Sequence, residues 1–145
     1  MKNLWKIMAA MLVIALPFVV AACGDDDEEP QPVTYTYRWT LENVDLPSGS
    51  TVEQRQAALN AQSAINVLIV QEFTTRKFTV DATSQKLTVT TMDNVADWDD
   101  KVKRAVSTLK GMDALAEAAE ALPNDAKIVV KRDNAKNAIV DEKLR

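Results

Sequence analysis

A single thiol, Cys23, and the absence of histidine limit what the side chains of this 145-residue chain can do. Histidine is the commonest general base and metal ligand, so proton transfer near neutral pH and imidazole-held metals lack their usual carrier. A serine nucleophile would need lysine as its base. The three glycines, Gly24, Gly49 and Gly111, stand too far apart for a phosphate-cradling loop. Asp93, Asp97, Asp99 and Asp100 cluster where calcium could be imagined, but the spacing has neither the loop glycine nor the closing glutamate of a calcium loop. Acidic residues in a first helical turn ordinarily answer the helix dipole and solvent. Tyr35, Tyr37 and Trp39 form an aromatic row that would stack on ring-bearing ligands if exposed. Their alternation with Thr and Arg favours the core face of a strand instead. The residues thus point to no metal, no cofactor and no enzymatic reaction.

What Cys23 does is better defined. Lys2 and Lys6 precede an apolar run, Ile7 to Ala22, which holds Pro17 and closes on small residues. This is the layout of a secretory signal peptide, and the run is short of the roughly 20 residues that span a bilayer. Val20-Ala21-Ala22-Cys23 resembles the bacterial lipobox. That resemblance implies cleavage between Ala22 and Cys23, a diacylglycerol on the Cys23 thiol and an acylated new amine. Lipidation would also account for a lone cysteine in an exported chain, otherwise an unpaired reactive thiol. Several acyl chains, at about 0.8 kcal/mol per buried CH₂, anchor stably where one is marginal.

Asp25, Asp26, Asp27, Glu28 and Glu29 follow, then Pro30 and Pro32. So dense a run of like charge reads as a solvated, self-repelling tether with a stiffened end. The Cys-Gly-acidic pattern is similar to the surface-export signal of small lipoproteins of the Bacteroidetes group. That implies an outer-membrane, surface-exposed location in the cell envelope. A plain spacer without sorting meaning is the alternative. Loss of Lys2 and Lys6 with the signal moves the net charge from −4 to −6, and residues 25–29 hold five of those negatives. Residues 30–145 are then close to neutral, which excludes a nucleic-acid binder with its basic patch.

The expected organisation is a signal peptide over 1–22, a lipidated cysteine and tether over 23–32, a small domain over 33–132 and a tail over 133–145. Val33, Tyr35, Tyr37, Trp39 and Leu41 alternate with polar residues as in a half-buried strand. Ser50 with Glu53 reads as a capping box. The helix it opens would carry Ala58, Ala61, Ile65, Leu68 and Ile69 on one face and end near Phe73. Phe78 and Val80, then Leu87 and Val89, form a hairpin around residues 81–85. Asp93 or Asn94 caps a second helix with an apolar stripe from Val95 through Trp98, Val102, Ala105 and Val106 to Leu109. Gly111 suits its end, and a short helical piece with Leu115, Ala116, Ala119 and Leu122 runs to Pro123. Ile128, Val129 and Val130 make a last strand.

This order predicts an α+β, ferredoxin-like βαββαβ fold: a four-stranded antiparallel sheet with two main helices on one face. The opposite face would be Thr-rich, and Thr36, Arg38, Thr40 and Thr88 are its candidate ligand or partner contacts. The leading functional expectation is a lipid-anchored, non-catalytic binding module for another envelope protein or a surface ligand. The alternatives are a structural or assembly accessory, dimeric through the open sheet face, and an enzyme relying on carboxylates.

Overall fold

The computed structural model describes residues 30–145, of which Pro32–Arg145 form a compact unit. The signal segment 1–22, Cys23 and the acidic residues 25–29 lie outside the described residues. The elements are strand β1 (Val33–Glu42), helix α1 (Val52–Thr75), strands β2 (Thr79–Asp81) and β3 (Lys86–Thr91), helices α2 (Val95–Lys110) and α3 (Asp113–Ala119), and strands β4 (Lys127–Arg132) and β5 (Val140–Lys143).

All five strands form one antiparallel sheet in the order β2-β3-β1-β4-β5. The class is α+β, and β1 and β3 are internal strands, as the order of elements predicts. The expected four strands become five, because the segment taken as a tail returns beside β4. Val130 pairs with Val140 and Lys127 with Lys143. Asn134 takes a left-handed conformation (φ 70°) in the turn between these strands, one that asparagine tolerates well. Buried Val140 and Leu144 join the core, so the domain runs past Arg132.

Helix α1 starts one residue later than expected. Thr51, not Ser50, is its N-cap: Thr51 Oγ1 accepts from Gln54 N at 3.1 Å, and Gln54 Oε1 accepts from Thr51 N at 2.9 Å. This reciprocal pair satisfies two otherwise open helix-end groups. The helix buries Ala58, Ala61, Ile65, Ile69 and Phe73, with Leu68 only partly covered, and continues past Phe73 to Thr75. Asn94 caps α2, which buries Trp98, Val102, Ala105, Val106 and Leu109 as its stripe predicts. Gly111 ends α2 at φ −82°, a conformation open to any residue.

The core lies between the sheet and the helices. Phe78 is its aromatic hub, meeting Tyr37, Phe73 and Trp98 edge to face at centroid separations of 5.8, 5.3 and 5.2 Å. Such pairs each contribute about 0.5–1.5 kcal/mol beyond area burial.

Candidate functional site

Alternation along β1 places Tyr37 and Trp39 on the helix side, both 0% exposed, with Tyr35 half-buried. Trp39 Nε1 donates to Asn66 Oδ1 on α1 at 3.1 Å. Tyr37 Oη donates to Asp99 Oδ1 on α2 at 2.7 Å, while Arg132 Nε and Nη2 donate to Asp99 Oδ1 and Oδ2 at 3.0 and 3.3 Å. The stacking row is core. Burial, and then the bond to Asp99, push the Tyr37 phenol above its ordinary value of 10.0. Asp99 is therefore a structural anchor between β1, α2 and β4, its carboxylate engaged by Tyr37 and Arg132.

The same alternation turns Thr34, Thr36, Arg38 and Thr40 to the other side of the sheet. There they meet the residues opposite them on β3 and β4. Thr36 faces Thr88, which also faces Thr79 on β2, and Thr34 faces Thr90. The hydroxyls of Thr34 and Thr90 lie 2.8 Å apart in a hydrogen bond. Arg38 stands between Lys86 and Lys131, and Thr40 opposite Val129. All four predicted contact residues thus share one face. Thr36 and Thr88 are half-buried, Arg38 and Thr40 exposed.

The charge on this face is ordered. Lys131, Arg38 and Lys86 lie abreast on three neighbouring strands, an arrangement that costs free energy by itself. Two carboxylates offset it: Arg38 Nε contacts Asp133 Oδ1 at 3.3 Å, and Asp81 sits opposite Lys86. Asp81 accepts bonds from Ser84 and Thr83, which hold its carboxyl below the usual range. Further along, Lys127 Nζ bridges Asp141 at 3.0 Å and Glu42 at 3.6 Å across three strands, and its ammonium is pushed up chiefly by the bond to Asp141. Val129 lies on this side yet is buried, and is the face's apolar member.

Such a surface offers hydroxyls that donate and accept, and a guanidinium that Asp133 occupies at one nitrogen only. It can hydrogen-bond a polar or carboxylate-bearing surface laid across the strands. No group of three acidic, cysteine or histidine residues that could hold a metal ion occurs among the described residues. One Ser-x-x-Lys spacing exists, Ser107 to Lys110 on α2. Lys110 Nζ is spent on Glu142 Oε2 at 3.3 Å, and Ser107 is exposed at the helix end. No described helix is long and apolar enough to cross a membrane. The chain matches no family model, no curated protein and no solved structure.

Proposed function

We propose that this chain is a lipid-anchored cell-envelope protein, held to the outer membrane through Cys23, whose folded body is a non-catalytic binding module. Its open sheet face, around Thr36, Arg38, Thr40 and Thr88, meets another envelope protein or a surface ligand. We read the body as a ferredoxin-like βαββαβ unit to which β5 is appended beside β4; the antiparallel order β2-β3-β1-β4 supports that reading. The observation that carries the functional proposal is the division of labour in β1. Its aromatic side chains are committed to the core, and its alternate residues build a continuous hydroxyl and guanidinium surface with β3 and β4. The Bacteroidetes-like acidic run after Cys23 supports display of that surface outward.

Capture from envelope extracts tests it. The wild-type body should retain a ligand that Arg38→Glu and Thr88→Arg, both on the face and outside the core, no longer retain. Equal capture by wild type and both variants would place binding elsewhere and sink the assignment of the face.

A further inference from the structure

Three cations stand abreast in the middle of the open sheet face at a cost to folding. Lys86, Arg38 and Lys131 lie directly opposite one another on β3, β1 and β4, and like charges so placed destabilise a sheet. The carboxylates of this face are largely committed elsewhere. Glu42 and Asp141 both pair with Lys127, and Asp81 Oδ1 accepts from the backbone amides of Thr83 and Ser84. Asp133 Oδ1 meets only Nε of Arg38, which leaves both terminal nitrogens of that guanidinium open. Lys86 and Lys131 make no ion pair among the described residues. Hydroxyls run beside the cations: Thr79, Thr88 and Thr36 form a parallel row two residues along the strands, and Thr40 lies two residues along on the other side. With strands about 4.8 Å apart and about 3.4 Å per residue, the cations span about 10 Å across the strands, with hydroxyl-bearing residues about 7 Å to either side.

The rest of the face narrows its occupant. Among the described residues the exposed large apolar side chains, Val33, Val52, Leu59, Val67 and Met92, all lie off it, and Tyr37 and Trp39 of β1 are buried in the core. A protein interface is built on apolar and aromatic anchors. A neutral sugar is held by stacking on an aromatic ring, and a single nucleic-acid strand by stacking its bases on such rings. The face has none of these, only cations and hydroxyls. We infer that its occupant is a linear polysaccharide bearing carboxylates, a polymer of uronic acids, laid across the strands along the cation row. This inference rests on the proposed role of the sheet face as the binding surface. Carboxylates on successive sugars meet Lys131, Arg38 and Lys86, and the open end of the Arg38 fork can take one carboxylate at both oxygens. Ring hydroxyls meet the Thr row, whose own hydroxyls donate and accept.

Isothermal titration calorimetry of the full chain in a non-ionic detergent tests it. The probes are polygalacturonate and alginate as uronic-acid polymers, dextran as a neutral polymer and poly-L-glutamate as a protein-like polyanion. The uronic-acid polymers should bind, more weakly as salt rises, and dextran should not. Arg38→Gln and Lys131→Gln should each weaken binding about tenfold or more. Lys103→Gln, the same change of charge at an exposed position on α2, should leave it unchanged. Lys131 has no ion pair to lose and Arg38 is half exposed, so unchanged thermal melting serves as the folding control. Uronic-acid polymers that fail to bind, dextran bound as well as they are, or poly-L-glutamate bound as tightly would overturn the polysaccharide while leaving the face open to another ligand. Uronic-acid polymers bound equally by wild type and both face variants would instead refute the face itself as the site.

Discussion

Asp99→Ala should be among the most damaging single changes available in this domain. The Asp99 carboxylate is the shared acceptor for the Tyr37 hydroxyl and two guanidinium nitrogens of Arg132, so its loss strands a buried hydroxyl and a partly buried cation together. Removing one partner of a buried pair costs about 3–5 kcal/mol. The side chains of Arg132 and Asp99 are 22% and 16% exposed, which moves this pair to the lower end of that range. The stranded Tyr37 hydroxyl carries its own penalty of about 1–3 kcal/mol, but it shares the carboxylate and does not simply add. About 3 kcal/mol overall follows, or roughly 12 °C in melting temperature for a body of this size. Urea and thermal unfolding followed by circular dichroism measure it. Asp100→Ala, at an exposed position one residue away, is the internal control and should stay within about 0.5 kcal/mol. A cost for Asp99→Ala no larger than that of Asp100→Ala would refute the anchor.

Three further outcomes follow from the same contacts. Because the folded-state Tyr37 phenol is raised above 10.0, its contribution to stability is fully present below that pH and is lost as pH rises above it; urea unfolding between pH 9 and 11 should show stability falling more steeply in wild type than in Tyr37→Phe, and identical slopes would contradict this. Thr51→Ala should cost about 1 kcal/mol through loss of the α1 cap, while Ser50→Ala should leave the melting temperature unchanged; the reverse would restore the cap to Ser50. Leu144→Ala should cost about 2–5 kcal/mol as a buried core truncation, and a loss under about 0.5 kcal/mol would mean that the C-terminal segment packs as loosely as a surface tail.

The parts of this fold that could be read from the chain were those with strong periodicity. The two-residue alternation of β1 placed Tyr37 and Trp39 in the core, and the stripe from Trp98 to Leu109 placed α2 correctly. The α1 cap slipped by one residue because the pattern is degenerate: Ser50 precedes Glu53 just as Thr51 precedes Gln54. Only backbone geometry at Thr51 decides between them. Strand β5 carries little local signal for a different reason. Val140-Asp141-Glu142-Lys143 carries one apolar residue, and an edge strand is defined by its backbone pairing with β4 more than by its own pattern. The left-handed turn at Asn134 was the signal available, since asparagine is among the residues that adopt it readily. The Tyr37–Asp99–Arg132 network was not legible, because its members lie 62 and 33 positions apart in sequence. For the sheet face, alternation in β1 sufficed to put Thr36, Arg38 and Thr40 together. Their alignment with Thr88, and the cation row through Lys86 and Lys131, depend on strand register, which local sequence leaves open.

The proposed anchoring has one direct measurement: mass spectrometry of the N-terminal peptide of the protein recovered from its native cells. The mature chain should begin at Cys23, with a diacylglycerol thioether on its sulfur and an acyl group on its amine. A mature chain that begins elsewhere, or a Cys23 that carries a free thiol, would contradict it.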